Sequence, residues 1–150
     1  MKEKQATDLR VETVRAFSEL RNNIRRYIQD RIKEQQINIT YEMLEVMFHL
    51  WRRDGIKQQE LSDITFRDKS STTYLIDNLV KRKLVARADD ENDRRNKLIK
   101  LTPGGMKLKE RLSPLMTEMY HVLGTGISDA AMTNSIRVLK KMNKNIIKSI

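Results

Sequence analysis

Apolar residues recur every three or four positions over most of this chain, the spacing that keeps one stripe of an α-helix apolar. Between residues 9 and 32 the stripe is Val14, Phe17, Leu20, Ile24, Tyr27, Ile28 and Ile32, with Arg21, Arg25, Arg26 and Arg31 off it. Thr40 is an N-cap for a second helix that turns Met43, Leu44, Val46, Met47, Leu50 and Trp51 inward. The run "RRDG" closes that helix with basic residues in its last turn and Gly55 at the C-terminal cap. A short third helix fits residues 57–64, with Leu61 and Ile64 inward. After "TFR", Asp68 caps a fourth helix through about residue 82. Its inner face is Leu75, Ile76, Leu79 and Val80, and its outer face Lys69, Ser70, Thr73, Tyr74, Asp77 and Asn78.

The period then changes. Two short apolar segments, "LVARA" and "KLIKLT", flank the charged stretch "DDENDRRN", and a β-hairpin connects them most simply. Thr102 and Pro103 read as N-cap and first residue of a fifth helix, because proline there sacrifices no helical hydrogen bond. Leu108, Leu112, Leu115, Met116, Met119 and Leu123 face inward on it, with Gly104 and Gly105 weakening its first turn. "GTGIS" breaks it, and Ser128 caps a last helix whose stripe is Met132, Ile136, Leu139, Met142, Ile146 and Ile150. The fold class expected is mainly α with a small β-hairpin wing (α+β).

Composition narrows the function. The 150 residues suit one domain with one core. Cysteine is absent, which removes disulfides, thiolate metal sites, cysteine nucleophiles and a thiol switch. No apolar run approaches the ~18–20 residues of a membrane span, and the N-terminus lacks the apolar segment of a signal peptide, so a cytoplasmic protein is expected. Thirty basic against twenty acidic residues give +10 and point to a polyanion. Residues 67–100, with ten basic and six acidic side chains, hold only +4 of it; the terminal helices carry the rest.

Two short helices, a tight break, a polar-faced helix and a basic hairpin, in that order, make a winged helix-turn-helix. The stretches "QQELSDITFRDKSSTTYLIDNLVKRKLVAR" and "DENDRRNKLIKLTPGGMKL" resemble the helix-turn-helix and wing of the MarR family of bacterial transcriptional regulators. The most specific part is Asp90, Asp93, Arg94 and Arg95 followed by Leu101 and Thr102; Lys83 and Tyr74 stand where the family usually has glycine and arginine. The resemblance covers nearly the whole chain. It implies one domain, 1–150, with dimerisation helices at 1–36 and 103–150 and a DNA-binding lobe at 38–102. It also implies a homodimer on a pseudopalindromic operator, nucleoid-associated when bound, with half-sites ~10 bp apart.

Chemistry at the residues agrees. Lys69, Ser70, Ser71, Thr73, Tyr74 and Asn78 offer donors and acceptors to phosphates and base edges from the fourth helix. Arg94 and Arg95 at the hairpin tip suit the narrow, negative minor groove. Asp93, with Asp90, is expected to support the wing by holding an arginine in one rotamer through a charge-assisted bond. The resemblance further implies a small aromatic or anionic effector between dimerisation helices and DNA-binding lobe, with Tyr27, Arg31, Met43 and Met47 as lining candidates. His49 and His121 lie far apart, and the acids of the hairpin tip adjoin arginines, so no metal is expected. No catalytic set, phosphate loop or dinucleotide fingerprint is present, so neither a catalytic residue nor a cofactor is expected. The reading is a sequence-specific, double-stranded DNA-binding regulator, expected to repress and to respond to a small molecule; a non-specific architectural DNA binder is the alternative.

Overall fold

The computed structural model of the chain describes residues 2–93 and 95–150, with side chains from residue 8 onward. The elements run α1 (Lys2–Glu34), α2 (Tyr41–Arg52), β1 (Ile56–Lys57), α3 (Gln58–Ile64), α4 (Lys69–Lys81), β2 (Val85–Asp89), β3 (Lys97–Leu101), α5 (Pro103–Gly124) and α6 (Asp129–Ile147). They form two compact units, residues 1–111 and 112–150, whose boundary falls within α5.

In the first unit the inward positions of α2, α3 and α4 meet the sheet. Leu44, Val46, Met47, Leu50, Leu61, Ile76, Leu79 and Ile99 are each no more than 1% exposed. Three caps read from the sequence are in place. Thr40 accepts from Met43 N at 3.2 Å, Asp68 from Ser71 N at 2.8 Å, and Ser128 from Ala131 N at 3.2 Å. Val80 and Ile64, expected inward, are only half-buried.

The hairpin is part of a larger sheet. β2 and β3 pair antiparallel from Val85↔Leu101 to Asp89↔Lys97, and β1 adds Ile56↔Ile99 and Lys57↔Leu98 on the other edge of β3. That third strand shifts two expected boundaries. α3 begins at Gln58 rather than residue 57, because Lys57 is spent in the sheet. α2 ends with Arg53, not Gly55, as its C-cap, and Gly55 at φ +70° turns the chain into β1. Asp54 fixes this turn: its Oδ1 accepts from Gly55 N and from Leu101 N of β3, both at 2.8 Å.

Gly104 and Gly105 turn out to be required. A Cβ on Gly104 would lie 2.7 Å from the Lys83 carbonyl oxygen, and one on Gly105 would overlap that of Leu84. Thr102 stitches the same corner, its Oγ1 donating to Lys83 O at 2.5 Å and accepting from Gly105 N at 3.1 Å. Trp51 closes it from α2, its Nε1 donating to Gly105 O at 3.1 Å. In the second unit, α6 has no buried residue, and Met132, Ile136, Leu139 and Ile146 of its expected stripe are exposed. Val14, Phe17 and Leu20 of α1 are exposed as well.

Candidate nucleic-acid interface

The N-termini of α3 and α4 and the wing meet at one basic groove. Lys57, Gln58, Gln59 and Ser62 line it from β1 and α3, Lys69 from α4, and Arg95, Asn96 and Lys97 from the wing, around about 290 Å³. Two of the residues nominated from sequence, Lys69 and Arg95, thus come together across 26 positions of chain. Lys57, Gln58, Gln59 and Lys97 were not foreseen. No local sequence signal marks them: β1 exists only through its pairing with β3, and that pairing sets the two glutamines of "IKQQE" at the start of α3 beside the wing.

The polar face of α4 divides into free and engaged side chains. Among the described residues, the side chains of Lys69, Ser70 and Tyr74 have no protein partner, and Tyr74 is 67% exposed. Ser71 is used by the cap, its Oγ donating to Asp68 Oδ2 at 2.6 Å. That bond and the amide of Ser71 hold the Asp68 carboxyl below its ordinary range. Thr73 Oγ1 accepts from Gln58 Nε2 and donates to Lys69 O, both at 2.8 Å, tying α3 to α4. Asn78 donates to Tyr74 O at 2.9 Å and accepts from Arg82 Nη1 at 3.2 Å. Both ends of its amide are therefore occupied within the helix.

At the tip of the wing, Asp93 Oδ1 accepts from Arg95 N at 3.1 Å and from Arg95 Nε at 3.2 Å, while the Arg95 side chain stays 92% exposed. Oδ2 accepts from Asn96 Nδ2 at 3.1 Å. Asp90 works differently. Its buried carboxylate accepts from Asn92 N at 3.0 Å and pairs with Lys57 Nζ at 3.3 Å, bracing the tip against β1. The Asn92 amide, followed by Lys57, holds that carboxyl below the usual aspartate range. Arg87 Nη2 pairs with Asp77 of α4 at 2.6 Å, and Lys97 pairs with Asp89. Arg94 lies outside the described residues.

A second cavity, about 540 Å³, opens between α1, α2 and the α3–α4 turn. Arg21, Arg25 and Arg67 line it with Glu45, Tyr41, Phe48, His49 and Phe66. Arg25 lies 5.1 Å over the Tyr41 ring and pairs with Glu42; Arg67 pairs with Glu45, leaving its buried Nε without a partner. Burial, followed by the charge of Arg52, holds His49 below its ordinary range, so it is neutral at pH 7. The four effector-site candidates from sequence do not line this cavity. Met43 and Met47 are core residues at 3% and 0% exposure, and Arg31 stacks over Tyr27 at 5.1 Å. Among the described residues no group of three His, Cys, Asp or Glu side chains is placed to hold a metal.

A three-helix core with a three-stranded wing at its edge defines a winged helix-turn-helix protein. A sequence profile of the MarR family matches residues 39–97. A MarR transcriptional regulator from Methanosarcina mazei Go1 is 30% identical, superposes with a TM-score of 0.79, and is matched over 92% of this chain and 98% of its own. S. aureus MepR in its DNA-binding conformation is 25% identical with a TM-score of 0.79, over 89% and 98%. In the MepR–DNA complex the values are 25% and 0.76, over 88% and 96%. The chain belongs to the MarR family. Comparison with curated protein sequences gave no match at the threshold applied.

Proposed function

We propose that this protein is a double-stranded DNA-binding transcriptional regulator that acts as a homodimer, represses from a pseudopalindromic operator and is released by a small anionic molecule. The observation that carries the reading is the groove in which Lys57 and Lys69 meet Arg95 and Lys97 of the wing. Phosphate binding needs such cations, while Ser70, Tyr74 and Gln59 beside them can address base edges. The likeness to MepR, which binds DNA in one of the matched structures, supports it. Lys69 of α4 and the cations of the wing position the helix on the backbone, and few side chains remain for bidentate base reading. Specificity is therefore shared with groove shape.

The effector reading rests on the larger cavity. Its volume is in the range of small-molecule sites. Three arginines against one glutamate, with aromatic walls and an unpartnered buried guanidinium N–H, favour an aromatic carboxylate or similar anion. Because α1 and the helix-turn-helix both contribute walls, a ligand there favours one lobe spacing over another.

The test is fluorescence anisotropy of the protein against the duplex upstream of its own gene and against a shuffled duplex. At about 0.15 M salt non-specific affinity is typically only ~10⁻⁴–10⁻⁶ M, so a thousandfold preference for the native duplex is the expected result. Equal weak binding to both, persisting through selection from genomic fragments, would leave an architectural DNA binder. Benzoate and related aromatic carboxylates, added to the native complex, are expected to lower the anisotropy, and Arg67→Gln is expected to blunt that response.

A further inference from the structure

The two sides of α6 differ completely in chemistry. At about 100° per residue, Met132, Ile136, Leu139, Met142 and Ile146 share one side, whereas Arg137, Lys140, Lys141, Lys144 and the C-cap Lys148 fall within an arc of about 100° opposite. All five basic residues are exposed, and among the described residues none of them pairs with an acid. Five cations against the single acid Asp129 leave residues 129–150 at +4. That equals the net charge of residues 67–100, concentrated in a shorter segment. In the wing, by contrast, Lys57, Arg87, Arg95 and Lys97 each sit against a carboxylate. Along α6 the like charges Arg137/Lys141, Lys140/Lys144 and Lys144/Lys148 stand one turn apart and repel.

We propose that this basic face is a second, sequence-independent DNA-binding surface, with which the protein holds a further duplex segment beside the one taken by α4 and the wing. Four lysines and one arginine act mainly as point charges toward phosphates and lack the paired forks that read bases. No aromatic side chain lies on α6 to stack an unpaired base, which favours duplex over single strands. From Arg137 to Lys148 the face runs about 16 Å, a length over which a duplex presents roughly ten phosphate charges. Stable anchoring to an anionic membrane would need the apolar side of the same helix as well, the side that the proposed homodimer covers. The inference rests on the DNA-binding reading above.

The experiment loads the full-length protein onto bead-bound duplex from upstream of its gene, washes, and adds a fluorescent duplex of unrelated sequence. Wild-type protein is expected to capture the second duplex. The variant R137Q/K140Q/K141Q/K144Q/K148Q is expected to lose that capture by about tenfold or more, with first-duplex binding changed less than about threefold. Glutamine is nearly as good a helix former as lysine, and circular dichroism verifies the fold. The charge-preserving K140R/K141R/K144R/K148R is expected to keep the capture. Loading without capture by the wild type overturns the proposal, as does undiminished capture by the glutamine variant. So does a variant that only lowers the salt dependence of first-duplex binding, which would place the face on the same duplex. Sedimentation of the wild type with phosphatidylserine vesicles, lost in the glutamine variant and without duplex capture, would assign the face to lipid. Failure to load the first duplex would instead defeat the underlying functional reading.

Discussion

Gly105 sits in the first turn of α5, where alanine ordinarily gains about 1 kcal/mol of helix propensity. Its Cβ would overlap the Leu84 carbonyl oxygen, a backbone atom that cannot swing aside. Overpacking of about 1–3 kcal/mol is expected to outweigh the propensity gain. Gly105→Ala should therefore lower the urea midpoint, while Gly124→Ala, with nothing within 4 Å of its Cβ, should hold or raise it at the same protein concentration. Asp93 acts on binding rather than on stability. An exposed ion pair contributes little to stability, but Arg95 Nε donates to Asp93 at 3.2 Å, and a guanidinium restrained in this way before binding would lose less entropy on DNA. An arginine left to order itself on DNA costs about 0.5–1.5 kcal/mol, so Asp93→Ala should weaken half-site affinity about twofold to twelvefold per wing with an unchanged melting temperature. Tighter binding by that variant, as plain removal of a repelling charge would give, would sink the explanation.

At the scale of elements, the longer helices were legible because each carries an apolar stripe, and α2, α4, α5 and α6 start at a capping side chain. Asp68 and Ser128 mark their helix starts, and the wing was legible from its place after α4 and from the charge between its strands. β1 was not, since two residues show no period and their pairing with Ile99 and Leu98 depends on tertiary contact. For the same reason Lys57 and Gln58 escaped the candidate site, and so did the pairing of Asp90 with Lys57, its ion-pair partner among the described residues. Gly104 and Gly105 read as weak points until the carbonyls of Lys83 and Leu84 were placed beside them. Asp90 also gives the wing a pH dependence. Its carboxyl, held below the ordinary value of about 4, contributes stability that is fully present above that value and is lost as pH falls through the lowered one. The Asn92 and Lys57 amide resonances should shift together only below the usual aspartate range. In Asp90→Asn that transition should vanish and amide exchange at residues 92–96 should quicken; a midpoint at or above the ordinary value would contradict the bracing role.

For the whole molecule, the apolar surface is the quantity that decides. Val14, Phe17 and Leu20 of α1 and Ile136, Leu139 and Ile146 of α6 are each between 40% and 62% exposed, in helices otherwise rich in charge. A monomer in water seldom leaves such stripes uncovered. Pairing of either stripe with its counterpart in a second copy about a twofold axis would cover it and would set two reading helices on one operator. Sedimentation velocity at micromolar concentration is then expected to give one species of twice the 17.7 kDa chain mass. Phe17→Glu and Leu139→Glu, each placing a charge where the partner would bury an apolar side chain, should shift that species toward the monomer and lower its melting temperature. Because two half-sites bound by one linked molecule gain from effective concentration, loss of the dimer should reduce operator affinity by about a hundredfold or more. Single half-site binding, with the lobe intact, should persist at the weaker level. A wild-type monomer, or a Leu139→Glu protein that stays dimeric and keeps full affinity, would move the interface away from these stripes and remove the geometric reason for a pseudopalindromic operator.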